Sequence, residues 1–216
     1  MNVSRETSAE AVEPEPAEAG VVFGDRIGLA RAFTHDLGVH GEERGLIGPL
    51  EPTRLWSRHI LNCAVVAPLF PSGRVGDIGS GAGLPGIVLA IARPDVSWVL
   101  IEPMDRRVQW LTEQVGALGL DNVEVVRARA EEWAGGRTLD AVTARAVSAL
   151  RTLVPITAPL VRPGGELILL KGATAPTEIE KADKVIRRFW LTDVRIETAG
   201  DGIVAEPTRV VRARVR

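Results

Sequence analysis

The chain has 216 residues, 45% of them hydrophobic and 25% charged, with a formal charge of −2; that is enough for one good core and excludes two large domains. Its longest unbroken apolar run, Ile87 to Ala92, falls far short of the roughly 18 to 20 residues of a spanning helix, and the amino terminus lacks a basic-then-apolar signal pattern, so no membrane association is expected. The single cysteine, Cys63, excludes an intrachain disulfide framework and a thiolate zinc cluster; no metal is expected, and the reducing cytoplasm is the expected compartment.

The first twenty residues hold five Glu and one Arg. They carry too little apolar surface to repay the entropy of ordering and read as a disordered acidic tail. The remainder is mildly basic, which permits a nucleic-acid partner without requiring one. From Val21 to about Leu37, Val22, Ile27, Leu29, Ala30 and Phe33 recur at helical spacing. After a Gly/Pro-punctuated loop, Leu55, Ile60 and Leu61 share a face of a second helix over Thr53 to Asn62. These two form a helical preface over residues 21–72, on the substrate side of a catalytic domain over 73–216.

From Arg74 onward short apolar runs alternate with amphipathic stretches: RVGDIG, SWVLIEP, NVEVVRARAEEW, LDAVTARAV, GELILLKG, LTDVRIETA and TRVVRARVR. Helices are expected over Leu84 to Ala92, Arg106 to Leu118 and Ala175 to Phe189. This is the rhythm of an α/β fold with a parallel sheet. The stretch between the last two strands, AGDGIVAEP, is too short for a helical crossover, so those strands should close the sheet as an antiparallel hairpin. A mostly parallel seven-stranded sheet ending in such a hairpin resembles the class I S-adenosylmethionine-dependent methyltransferase fold. The scattered tryptophans, Trp56, Trp98, Trp110, Trp133 and Trp190, form no stacking ladder and read as core.

Between the first strand and its helix lies Gly79-Ser80-Gly81-Ala82-Gly83-Leu84-Pro85-Gly86. Glycines there let the backbone turn tightly and approach a ligand. Gly81, Gly83 and Gly86 also satisfy the dinucleotide fingerprint, with Glu102 ending the next strand about twenty residues on, so a nicotinamide oxidoreductase competes with a methyltransferase. Asp77 separates the two. At the strand end beside the loop it would repel a pyrophosphate, whereas it would attract the ammonium and sulfonium of S-adenosylmethionine. Glu102 suits the ribose hydroxyls of either ligand.

After the fourth strand, Thr143-Ala144-Arg145-Ala146 replaces the acceptor motif of amine-directed methyltransferases. An arginine offers only donors, so the atom it meets should be an acceptor. Cys63, placed before the glycine loop, suits cytosine C5 chemistry badly.

RHILN at 58 to 62, DIGSGAGLPGI at 77 to 87, RARAEEW at 127 to 133, TARAVSAL at 143 to 150 and LLKG at 169 to 172 occur in one order. With them the chain, from Val21 to the carboxyl terminus, resembles the bacterial glucose-inhibited division protein B family. Asn62 stands where many relatives carry Asp. The resemblance implies methylation of guanine N7 in the decoding-region loop of 16S ribosomal RNA, with the RNA or the small ribosomal subunit as partner. It also implies cofactor contacts at Gly79 and Leu84, at Ala130 and Glu131 after the third strand, and at Arg145. The loop positions Asp77, Gly81 and Gly83, with Glu102, complete the expected cofactor set. Arg145 is expected to position the substrate, Arg58, His59 and Asn62 to line the substrate cleft, and Lys171 and Arg107 to grip phosphate. His59 has an alternative reading as a helix-packing residue. Arg209, Arg212, Arg214 and Arg216 on the last strand fit a solvated face as well as an RNA contact. Oligomeric state leaves no mark in the sequence.

Overall fold

The computed structural model of the protein describes residues 12–133 and 135–216. Seven strands form one sheet: β1 (Arg74–Ile78), β2 (Ser97–Ile101), β3 (Val123–Val126), β4 (Leu139–Arg145), β5 (Val161–Lys171), β6 (Leu191–Ala199) and β7 (Thr208–Val215). Their order across the sheet is β3-β2-β1-β4-β5-β7-β6. β1 to β5 run parallel, and β7 is antiparallel to both of its neighbours, β5 and β6. The expected hairpin is thus present, with β7 inserted between β5 and β6. The strand order reverses between β1 and β4, and the crevice at the carboxyl ends of those strands is where open α/β sheets collect ligands.

Helices cover both faces, which is why the inner strands read as near-continuous apolar runs. On one face α4 (Gly86–Ala92) and α5 (Asp105–Leu118) pack with the preface helices α1 (Glu18–Phe23) and α2 (Ile27–His40); Phe33, Leu37, Leu55, Ile87, Trp98 and Trp110 share this core. On the other face α6 (Leu150–Thr157) and α7 (Ala175–Arg188) cover Val99, Val142, Leu167 and Leu169. The preface is therefore built into the catalytic core. Arg26 Nε donates to Ile91 O at 2.7 Å, and Thr208 Oγ1 on β7 donates to Asn62 O at 3.0 Å.

Several expectations are corrected. Residues 1–11 of the expected tail lie outside the described residues, but Val12 packs against the core, Ala19 is buried in α1, and Glu15 pairs with Arg31 at 2.6 Å. The apolar face of Ala19 and Phe23 offsets the ordering entropy that the acidic composition alone leaves unpaid. The second preface helix is a 3₁₀ turn, Pro52–Arg54, followed by a π-helical segment, Leu55–Leu61, and α3 (Asn62–Ala64). The eight residues of α6 have no counterpart in the expected elements. Trp56, Trp98 and Trp110 are core as expected, but Trp190 is 71% exposed. On the last strand, Arg212 pairs with Glu166 and Glu197, and Arg214 pairs with Glu166; these ion pairs across the sheet favour the strand-face reading for those two arginines. Among the described residues no helix is long and apolar enough to cross a membrane.

Candidate active site

The loop after β1 is held from below and from both sides. Gly79, Gly81 and Gly83 adopt φ of 70°, 57° and 92°, left-handed values that favour residues without a Cβ. A Cβ on Gly86 would stand 2.3 Å from Leu100 Cδ2 and 2.5 Å from Asp77 Oδ2, so α4 starts in contact with β1 and β2 only because that position is glycine. A Cβ on Gly81 would meet only Gly79 O, at 3.7 Å, which leaves the loop's upper side open. Glu102, at the end of β2, accepts from Gly81 N at 2.9 Å and from Met104 N at 3.0 Å. Trp110 Nε1 donates to Ala82 O at 3.0 Å and fixes the loop to α5.

Asp77 differs from its expected place. It is fully buried beneath the loop, where Oδ2 accepts from Gly86 N at 3.0 Å and Oδ1 has no partner among the described residues. Burial pushes its carboxyl up to about 7, against the lowering effect of the Gly86 hydrogen bond. Its visible role is to brace the start of α4.

Above the loop opens a cavity of about 470 Å³ whose walls include Gly79, Gly81, Leu84, Glu102 and Arg145 from the expected set, with Arg107 beside Glu102. Asp77 and Gly83 lie behind this wall. Ala130 and Glu131 open a 3₁₀ turn after β3, Ala130 buried and Glu131 exposed, and neither side chain forms the wall. The sequence reading missed Leu46, Ile47, Glu51 and Met104, which close the cavity from the preface loop and from the segment after β2.

The donor set fits S-adenosylmethionine. Left-handed glycines open the floor to close backbone approach, and the Glu102 carboxylate keeps lone pairs beyond its two amide contacts for hydroxyl groups.

A second cavity, about 660 Å³, gathers Arg58, His59, Asn62 and Lys171, the whole expected substrate set, together with Ser148, Glu178, Glu206 and Arg209. His59, Arg145, Ala146 and Val147 line both cavities and so form the wall between them. Ala146 has φ 56°, a conformation costing a non-glycine residue on the order of 1–3 kcal/mol, and it turns the chain off β4 at this wall. Arg145 Nη1 donates to His59 Nδ1 at 3.0 Å, and His59 Nε2 meets Glu51 Oε2. Glu51 also pairs with Arg54 at 2.5 Å; that hydrogen bond, with His59, holds its carboxyl at about 2. Burial, then the neighbouring Arg145, lowers the His59 imidazole below its ordinary value. Lys171 Nζ donates to Ser148 O at 2.6 Å and to Glu178 Oε2 at 3.0 Å, so its charge is answered from within the fold. Arg58 and Arg209 have no ion-pair partner among the described residues. Cys63 is fully buried, with its thiol pushed up to about 11 by that burial, and lies outside both cavities.

A family model described as rRNA small subunit methyltransferase G (GidB) matches residues 26–202. The ribosomal RNA small subunit methyltransferase G of Clavibacter michiganensis subsp. michiganensis is 65% identical over 204 residues, covering 94% of this chain and 97% of that protein. The protein of the same name from Leifsonia xyli subsp. xyli is 63% identical, covering 96% and 99%. Among solved structures, a SAM-dependent methyltransferase from Aquifex aeolicus aligns with a TM-score of 0.54 at 18% identity, over 76% of this chain and 94% of that one. A SAM-dependent O-methyltransferase from Thermotoga maritima aligns with a TM-score of 0.54 at 15% identity, over 72% and 64%. At these identities the structural likeness speaks for the fold alone.

Proposed function

The chain belongs to the rRNA small subunit methyltransferase G family, whose members depend on S-adenosylmethionine, and from that premise we propose that it methylates N7 of a guanine in the decoding-region loop of 16S ribosomal RNA. The observation that carries the reading is the shared wall: one cavity above the glycine loop and a second, arginine-bearing cavity meet at His59, Arg145, Ala146 and Val147. Such a pair of chambers suits two ligands whose reacting atoms must approach each other.

When bound, S-adenosylmethionine supplies a sulfonium-activated methyl group. Guanine N7 offers an in-plane lone pair and has no proton to lose, so no general base is required and placement governs the rate; approximation of this kind is worth up to about 7–11 kcal/mol. Gly79, Gly81 and Leu84 would hold the cofactor through the loop, Glu102 would take its ribose hydroxyls, and Ala130 and Glu131 would reach its adenine edge through backbone groups. Arg145 would hydrogen-bond guanine O6 or an adjacent phosphate, leaving the N7 lone pair free. Arg58 and Arg209 are available for the phosphates of the strand, because no carboxylate among the described residues neutralises them. Lys171, tied to Glu178, instead shapes the cavity. An RNA substrate suits the cytoplasm.

Incubation with labelled S-adenosylmethionine and either small or large ribosomal subunits from a strain lacking the gene tests the reading. Label should enter small-subunit RNA alone. Transfer to a free metabolite, with none to RNA, would assign the chain a small-molecule substrate.

A further inference from the structure

Arg145 carries five N–H donors and no acceptor, and an ionised Glu51 only accepts. His59 stands between them and must therefore accept from one and donate to the other. Its geometry assigns the roles: Nδ1 lies 3.0 Å from Arg145 Nη1, while Nε2 faces Glu51 Oε2. Only the neutral imidazole with its proton on Nε2 satisfies both neighbours. His59 is presented by the π-helical segment Leu55–Leu61, a distortion that concentrates at functional positions.

We propose that Glu51 and His59 are positioning residues for Arg145: Glu51 fixes the Nε2–H tautomer of His59, and His59 Nδ1 holds the guanidinium at the wall between the two cavities. This rests on the functional reading above, in which Arg145 orients the acceptor base. Without the acceptor at Nδ1, the long Arg145 side chain samples several rotamers; with it, one N–H is spent on alignment and four remain for substrate.

The charged groups facing the imidazole are Glu51 and Arg145 in direct contact, Arg58 on the same segment, and Arg54, which donates to both oxygens of Glu51. Asp77 lies deeper and senses Arg145. Protonating His59 removes the Nδ1 acceptor and sets an imidazolium against a guanidinium. Because burial and Arg145 lower the imidazole pKa, the contact is intact at neutral pH and opens on acidification, while Glu51 stays ionised throughout that range.

The test compares the full-length native protein with His59→Gln, His59→Leu, Arg145→Ala and the His59→Leu/Arg145→Ala double variant. Measured are kcat and KM on unmethylated small subunits from about pH 5 to about pH 8, with the cooperative thermal transition as the check on folding. His59→Leu should lower kcat about tenfold or more at neutral pH, the equivalent of one displaced catalytic contact, with the deficit shrinking on acidification as the native contact opens. A glutamine amide both donates and accepts but does not titrate, so His59→Gln should recover most of the lost kcat and flatten the acidic limb. In the Arg145→Ala background, His59→Leu should cost nothing further. Multiplying losses in the double variant, a glutamine variant no better than leucine, or an acidic limb that persists in it would overturn the proposal. The ring nitrogens of His59 provide a readout that needs no substrate: NMR at neutral pH should find Nε2 protonated and Nδ1 bare, and the opposite tautomer or an imidazolium would also overturn it. Failure of the native protein to methylate guanine N7 would instead defeat the functional reading, with the tautomer result still standing.

Discussion

Two carboxylates at consecutive strand ends, Asp77 and Glu102, behave differently because only one faces a cavity. The folded-state value of about 7 for Asp77 exceeds its ordinary 3.8, so between those values the folded protein holds a proton that the unfolded chain releases. The resulting stabilisation is full below about 3.8 and is lost as pH rises through about 7, a term of up to about 4 kcal/mol at 1.36 kcal/mol per pKa unit. Asp77→Asn keeps an acceptor for Gly86 N and cannot ionise. Denaturant melts without cofactor should therefore find its stability rising relative to the native protein as pH increases across that window; a constant difference would contradict the assignment. The strand-end spacing made the positions of both carboxylates legible in sequence. It said nothing of depth, so the burial of Asp77 was not foreseen. Glu51 was illegible for another reason: it lies in a loop without periodicity, and only the folding of the preface brings it to His59 and Arg145.

Backbone demands at the level of elements give a sharper contrast between two glycines. Gly86 opens α4 against Leu100 and Asp77, so Gly86→Ala forces an overlap at 2.3 Å and should cost about 1–3 kcal/mol, as overpacking does, together with weaker S-adenosylmethionine binding. Gly116, exposed within α5, has nothing within 4 Å of an added Cβ, and Gly116→Ala should stabilise by about 0.5–1 kcal/mol. Thermal melts of the two variants should move in opposite directions. All seven strands were readable from apolar runs and turn chemistry, and LTDVRIETA marked β6 to its last residue. The short connection before β7 dictated the antiparallel hairpin. Helix α6 escaped because Pro155 interrupts it and it has only eight residues, although Leu150, Leu153, Val154 and Thr157 do keep helical spacing. The π-helical turns at Leu55–Leu61 were beyond a reading based on a period of 3.6.

At the scale of the molecule, the preface and the sheet share one core, since Phe33, Leu37, Leu55 and Ile60 are buried with Trp98, Trp110 and Ile87. The sequence pattern suggested a boundary near residue 72, but periodicity cannot show which apolar faces meet. A fragment comprising residues 73–216 would expose one side of the sheet helices and should show no cooperative thermal transition; a sharp melt from that fragment would establish an autonomous catalytic domain. The same packing places the preface over the loop and creates the wall between the two cavities, on which the functional reading depends. Its most direct test is nucleoside analysis of 16S RNA digested after labelled methyl transfer to small subunits from a strain lacking the gene. Label should be recovered as N7-methylguanine. Label in another nucleoside, or none while S-adenosylmethionine binding is intact, would contradict it.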